Sequence, residues 1–290
     1  MKNQNEKESV GQKVAVVTGS SSGIGYSTAL QLARSGYLTI ATMRNPAKGA
    51  DLISTAQNNG LPLQVEQLDV KDPDSIKDLI SKLERIDVLV NNAGYFSFGP
   101  LEDLSIKEIL DQFDTNLLGT IRVTQQVLPT MRAQKSGIIV NISSVVGRFG
   151  LPGMSAYVAT KFAMEGLSES LSHEVAQFGI KVVLVEPGVV KTKIFDNRVV
   201  GQDALRADSP YSNMLGDLNT AFGAMLEYAS TSDQVAATVL QAISSPEPKM
   251  RYHVGQDAAE WLNQRNAMND EQFQTYIRNS MSNAVPRAES

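Results

Sequence analysis

A doubly wound, parallel α/β sheet is the fold class this chain predicts, and three observations predict it. Seven short runs rich in β-branched and apolar residues recur between residues 13 and 255. Most are apolar almost throughout, as strands covered on both faces must be. Helical patterns separate them, and the regular alternation argues for βαβ units with right-handed crossovers. With 290 residues, 42% hydrophobic and 20% charged, the chain can fill one large core, so a single domain is expected.

Taken in order, strands are expected at 13–19 ("KVAVVTG"), 37–43 ("YLTIATM"), 61–70 ("LPLQVEQLDV"), 86–94 ("IDVLVNNAG"), 137–144 ("GIIVNISS"), 180–188 ("IKVVLVEPG") and 250–255 ("MRYHVG"). Helices are expected at 24–35, more weakly at 50–59, then at 74–83, 105–132, 157–178 and 233–243. In the fifth of these, Phe162, Leu167, Leu171 and Val175 have the spacing of one buried face. Residues 1–12 ("MKNQNEKESVGQ") read as a disordered tail. Residues 256–290, with "AAEWLNQ" and "FQTYIRNSM", read as a helical extension. In sheets of this class ligands bind beyond the carboxyl ends of the strands, so the chemistry is sought there.

Composition removes several functions. The net charge is −5 and the basic residues are scattered, which argues against nucleic acid or an anionic membrane as partner. No apolar run approaches the roughly 20 residues of a membrane span, and the first residues lack the apolar core of a signal peptide. A soluble, cytoplasmic protein is expected. The absence of cysteine excludes thiol catalysis, disulfides and thiolate metal sites. Only His173 and His253 remain as nitrogen ligands, neither in a partnered motif, so no metal is expected.

The first strand ends in "TGSSSGIG", where Gly19, Gly23 and Gly25 run into a helix beginning near Ile24. Glycines there let the backbone turn sharply and approach a pyrophosphate, while the helix N-terminus offers unpaired N–H groups and a positive dipole. The spacing differs from the general G-x-G-x-x-G fingerprint, but the place, after the first strand of a parallel sheet, supports nucleotide binding. Further on come "LDV" at 68–70, "NNAG" at 91–94, Asn116 in "FDTNLLG", "ISS" at 142–144, "YVATK" at 157–161 and "PGVVKT" at 187–192.

This ordered set resembles the classical branch of the short-chain dehydrogenase/reductase superfamily, across almost all of 13–255. The resemblance implies a Rossmann-type sheet of seven strands, a bound NAD or NADP, and hydride exchange between nicotinamide and an alcohol or carbonyl. It assigns Tyr157 as acid/base, Lys161 as its electrostatic partner and a ribose ligand, Ser144 as the hydroxyl that steadies the substrate oxygen, and Asn116 as the holder of a proton-relay water. Ser144 precedes Tyr157 by the interval the family expects and is chosen over Ser143. The chemistry is consistent with the residue types. One group of suitable pKa can give a proton to a developing alkoxide and take it back. A free tyrosine titrates near ~10, so a nearby ammonium is expected to favour its phenolate. Helical i,i+4 spacing places Tyr157 and Lys161 on one face.

For the cofactor, an acidic residue after the second strand would accept bonds from a free ribose 2′-hydroxyl, and a basic one would accommodate a 2′-phosphate. Here the strand ends "TIATMRNP", so NADP is expected over NAD, with Arg44 as clamp and Ser20 or Ser21 as helpers. The glycine loop (Gly19, Ser20, Ser21, Ser22, Gly23, Ile24, Gly25) would cradle the phosphates. By resemblance, Asp69 and Val70 contact adenine, Asn92, Ala93 and Gly94 lie beside the adenosine ribose, and Pro187, Gly188, Val189, Val190 and Thr192 hold the carboxamide.

Candidate pocket walls follow the strand ends: Tyr95, Phe96 and Phe98, then Val145, Val146, Phe149, Leu151 and Met154. They are largely apolar, and Ser144, Val146, Phe149 and Tyr157 are the expected substrate contacts. A long segment, about 195–230, reads as a substrate lid. An apolar alcohol or ketone fits best. "ATMRNP" with this lid resembles the hydroxysteroid and retinol dehydrogenase-like branch, and the family implies homodimers or homotetramers through the helices at 105–132 and 157–178. The rival reading, a cofactor-binding regulatory protein without turnover, predicts loss of the tyrosine, lysine or serine, and all three are present.

Overall fold

The computed structural model describes residues 11–192, 199–201 and 209–282. The expected tail therefore lies almost wholly outside the described residues, as do 195–198 and 202–208 of the expected lid and 283–290 of the extension. All seven expected strands form: β1 Val14–Val17, β2 Leu38–Met43, β3 Leu63–Gln67, β4 Val88–Asn91, β5 Gly137–Ile142, β6 Ile180–Pro187 and β7 Arg251–Val254. They pair in the order β7-β6-β5-β4-β1-β2-β3, and every pairing is parallel. Each is shorter than its sequence run because residues such as 18–19, 92–94 and 143–144 leave the ladder and become carboxyl-end loops. Those loops carry the motifs. The strand order reverses at β1, between β2 and β4, and there the crevice for a ligand opens.

The helices are α1 Gly23–Arg34, α2 Ala50–Asn58, α3 Pro73–Ile80, α4 Ile106–Phe113, α5 Gly119–Gln134, α6 Ser155–Val175, α7 Ser212–Glu227, α8 Ser232–Ser244, α9 Gln256–Ala267 and α10 Asp270–Ser282. Strand side chains alternate between two apolar layers, as a period of two requires. Ala15 and Val17 join Ala29 and Leu32 of α1 and Val235 and Val239 of α8. Val14 and Val16 join Ile76 of α3, Val123 and Val127 of α5, and Leu171 and Val175 of α6. Each fully buried aliphatic side chain in these layers contributes about 1.5–3 kcal/mol.

One helical expectation is corrected. The segment expected as a single helix at 105–132 is interrupted by a π-helical turn at Asp114–Leu118. The extra residue in the turn carries Asn116 inward, fully buried, to bond the backbone of Tyr95. Wide turns of this kind recur at functional sites. Two short parallel ladders, Ser97–Phe98 with Val199–Val200 and Val190–Lys191 with Ser230–Thr231, fasten the segment that follows β6. A third apolar cluster lies outside the sheet, built from loop residues after β4 and β5 together with α7, α9 and α10. Among the described residues no helix is long and apolar enough to cross a membrane.

Candidate active site

The glycine loop is locked from behind. Gly19 and Gly23 have φ values of 70° and 58°, in the left-handed region that favours glycine. A β-carbon on Gly25 would stand 2.4 Å from the carbonyl oxygen of Gly19 and 2.5 Å from Asn92 Nδ2. Asn92 Nδ2 donates to the carbonyls of Thr18 (2.9 Å) and Gly19 (3.1 Å), and Thr18 Oγ1 accepts from the N–H groups of Asn92 and Ala93, both at 3.0 Å. "TG" and "NNAG", far apart in the chain, thus form one bonded unit. Ser22 precedes α1 with no side-chain cap, and the first turn has no acidic residue. In contrast, α4 and α8 are closed by their own capping boxes. The opening turn of α1 is fit to receive an anion.

Ser20, one of the two expected helpers, is fully buried and its hydroxyl donates to Val17 O at 2.9 Å, so it braces the loop from within. Ser21 and Ser22 are exposed, and Ile24 packs against the first apolar layer. Arg44 is exposed just past β2 and, among the described residues, has no hydrogen bond or ion pair. No acidic residue stands beside it at the strand end. Asp69 accepts from the Lys71 N–H at 2.9 Å, while Val70 is buried and meets Gly119 of α5, where a β-carbon would come within 2.7 Å.

The four residues of the expected proton machinery are brought together by α6, the π-turn and the end of β5. The Ser144 hydroxyl stands close enough to Tyr157 to favour its phenolate. Ser144 Oγ also lies 3.4 Å from Pro187 O, to which it donates, and accepts from Val146 N–H at 3.4 Å. Ser143, the neighbour not chosen, is buried, and its hydroxyl has no hydrogen-bond partner among the described residues. Lys161 Nζ donates to Ile142 O at 2.8 Å and stands 5.5 Å from the centroid of the Tyr157 ring. Asn116 Nδ2 donates to Tyr95 O at 2.9 Å and approaches Thr160 Oγ1 at 3.4 Å, while Oδ1 accepts from Tyr95 N–H at 3.0 Å. Gly94 leaves room for that carboxamide, since a β-carbon there would stand 3.1 Å from Asn116 Oδ1.

The electrostatics depart from expectation. Burial pushes the Tyr157 hydroxyl up to about 12, partly offset by the nearby Ser144 hydroxyl. Burial likewise pushes Lys161 down to about 8, against the field of Glu165 one turn further along α6. The expected lowering of the tyrosine by Lys161 is therefore not produced by the chain alone. The ammonium is engaged by the Ile142 carbonyl and faces the ring, while desolvation dominates both groups.

The segment after β6 closes the site. Gly188 N–H donates to Val254 O at 2.9 Å, and Val189 N–H donates to Asp257 Oδ2 at 2.7 Å. Val190 pairs with Ser230, and Thr192 reaches the glycine loop, its Cγ2 lying 3.3 Å from where a β-carbon on Gly23 would be. Asp257 was missed by sequence reasoning. Its signal, an acidic residue in the first turn after the glycine that ends β7, has no place in the motif set. A second missed feature is the ion cluster under the loop between Ser144 and Tyr157. Arg251 Nε contacts Glu165 (2.9 Å) and Glu186 (3.1 Å), and Arg148 reaches Glu186 at 3.4 Å. Burial and the charge of Glu165 hold the Glu186 carboxyl well above the usual carboxylate range.

The expected walls assemble around Tyr157. Phe96 meets its ring edge-on at 5.3 Å, and Phe98 meets Phe222 of α7 at 6.3 Å. Phe149 is held between Trp261 of α9 (5.4 Å) and Phe273 of α10 (5.3 Å). Val145, Val146, Leu151 and Met154 are buried in the same cluster. Tyr95 instead serves through its backbone. His173 and His253 are exposed.

Comparison with known proteins agrees with this geometry. A family profile described as short chain dehydrogenase matches residues 13–202. The 17-beta-hydroxysteroid dehydrogenase type 1 of Mus musculus is 36% identical over 249 residues, covering 82% of this chain and 72% of its own length. The crystal structure of a short-chain dehydrogenase from Streptomyces avermitilis superposes with a TM-score of 0.79 at 32% identity, covering 93% of this chain and 97% of that one. A metagenomic short-chain oxidoreductase solved in complex with NADP superposes with a TM-score of 0.67 at 27% identity, covering 83% and 96%.

Proposed function

The chain belongs to the short-chain dehydrogenase family and is an oxidoreductase, and from that premise we propose that it interconverts an apolar secondary alcohol and its ketone, or an alcohol and aldehyde, with NADP(H). The observation that carries the reading is the cluster of Ser144, Tyr157 and Lys161 at the carboxyl end of β5 and the start of α6, under an apolar wall. The open first turn of α1 and the blocked β-carbon positions at Gly19 and Gly25 fit a pyrophosphate, and the free Arg44 fits a 2′-phosphate. The relative solved with NADP supports the same choice over NAD. Gly188, Val189 and Thr192 would hold the carboxamide.

When bound, the cofactor supplies the hydride and, oxidised, a positive ring whose field opposes the desolvation that holds Tyr157 high. In the reducing direction Tyr157 Oη gives its proton to the substrate oxygen as the alkoxide develops, and in the oxidising direction it takes that proton back. Ser144 Oγ, beside Tyr157, holds the same oxygen and so fixes the reacting carbon. Lys161 supports the phenolate through its charge, and Asn116 holds the β4 loop to the π-turn from which a water would pass the proton outward. Val146, Phe149 and Phe96 exclude water and select an apolar substrate, in line with the steroid named for the mouse relative.

We also place the protein in the cytoplasm and infer self-association through α4, α5 and α6, where Ile106 and Leu110 of α4, Leu118 at the end of the π-turn before α5, and Phe162 of α6 are exposed. Following NADPH and NADH absorbance with a panel of apolar ketones and aldehydes tests the main reading. Turnover with NADPH over NADH is expected, with Tyr157→Phe binding NADPH normally but losing at least about 100-fold in kcat. Tight NADPH binding without turnover of any carbonyl, or full activity of Tyr157→Phe, would refute it.

A further inference from the structure

The C-terminal extension reaches back into the site through a single carboxylate. Asp257 lies in the first turn of α9, just beyond β7, yet its Oδ2 accepts the N–H of Val189 at 2.7 Å across the end of the sheet. The carboxylate is wedged between two glycines. A β-carbon on Gly188 would stand 2.2 Å from Oδ2, and one on Gly255, whose φ is 109°, would stand 2.3 Å from Oδ1. Both positions must therefore lack a side chain for Asp257 to occupy its place. The other side of the same peptide segment is also held, since Ser230 N–H donates to Val189 O at 3.0 Å. With its N–H and C=O both taken, Val189 has no freedom to rotate its neighbouring peptides. Gly188 before it and Thr192 after it inherit that fixed geometry, and Thr192 abuts the glycine loop.

Asp257 Oδ1 is buried and, among the described residues, has no hydrogen-bond partner. A carboxylate kept there at the cost of one unpaired oxygen is doing something an apolar residue would not. Its neighbours Ala258, Trp261 and Leu262 anchor α9 in the apolar cluster with Phe149, so the helix that carries Asp257 is rigidly docked. One short helix thus ties the backbone expected to hold the nicotinamide to the wall expected to hold the substrate.

We propose that Asp257 is a positioning residue that sets the Gly188–Thr192 segment for the nicotinamide half of the cofactor. The proposal rests on the cofactor reading above. It assigns the C-terminal extension a part in cofactor geometry, distinct from any role as a cover.

The test compares NADP+ with 2′-phospho-ADP-ribose, which carries everything except the nicotinamide ring, by calorimetry on the full chain. In Asp257→Ala, NADP+ affinity is expected to fall about tenfold or more, as loss of a hydrogen bond to a charged group implies. Affinity for 2′-phospho-ADP-ribose is expected to stay within about twofold, because α1 and the glycine loop are untouched. Asp257→Asn keeps an oxygen to accept the Val189 N–H and is expected to recover most of the loss. Equal weakening of both ligands, or no weakening of either, would overturn the proposal. Binding of neither ligand by the wild type would bring down the cofactor reading, and the proposal with it; binding of both with no difference in the variant brings down the proposal alone.

Discussion

Lys161 shows how a single buried residue opposes stability. Its side chain is 7% exposed and its ammonium has one carbonyl partner, so burial lowers its pKa from 10.5 to about 8. Between those two values the unfolded chain holds a proton that the folded chain has released. Stability in the cofactor-free protein therefore rises with pH across roughly 8 to 10.5, and below 8 the full penalty is present. That gap corresponds to about 3 kcal/mol at most. Lys161→Met, which keeps the buried stem but leaves Ile142 O unpaired, is expected to be more stable than the wild type at pH 7 by about 1–2 kcal/mol. The difference should shrink as pH rises through 8 to 10.5, as followed by urea denaturation. Equal stability, or a gap that ignores pH, would show that the ammonium is better compensated than its surroundings indicate. On the proposed reading the ammonium serves the proton chemistry, at a cost to the fold.

At the scale of elements, the site depends on close approach of segments that only glycine permits. The loop before α1 lies against "NNAG" so closely that Gly25 cannot carry a side chain without displacing Gly19 O or Asn92. Gly223, exposed on α7, has nothing within 4 Å of a β-carbon. Gly25→Ala is expected to lose about 2 kcal/mol or more, measured as a lower Tm, and to weaken NADPH binding along with it. Gly223→Ala should be neutral or stabilising by about 0.5–1 kcal/mol. Comparable losses in both would mean that backbone entropy, not crowding, governs the loop. The π-turn belongs to the same scale. It breaks an apolar pattern that reads as one helix, because seating Asn116 on Tyr95 satisfies two backbone groups that a regular helix would leave unpaired.

At the scale of the whole molecule, α4 turns Ile106 and Leu110 outward at 71% and 62% exposure, one helical turn apart, and Phe162 of α6 is exposed nearby in sequence to the proton machinery. A face of this kind calls for a partner, and a second copy of the chain is the economical one. Sedimentation of the wild type at tens of micromolar is expected to give a dimer or tetramer, and Ile106→Glu with Phe162→Glu a monomer of unchanged Tm, since both side chains are already in water. A monomeric wild type, or a double variant that still associates, would remove this face from the assembly.

The parallel sheet, its helices and the family were legible in the sequence because each rests on local patterns. Strand runs of apolar residues, glycines at a strand end, and a tyrosine four residues before a lysine are short-range signals that survive without coordinates. Strand ends were overestimated for the same reason, since apolar runs continue into the loops where the ladder stops. Tertiary structure alone decided the rest. Ser20 turned inward because its hydroxyl found Val17 O, and the charges of Tyr157 and Lys161 were set by burial that many distant segments share. Asp257 came to hold Val189 only because β6 and β7 end side by side. Local patterns determine which residue types are available, whereas hydrogen-bond partners and desolvation arise from atoms that meet only after the sheet has closed.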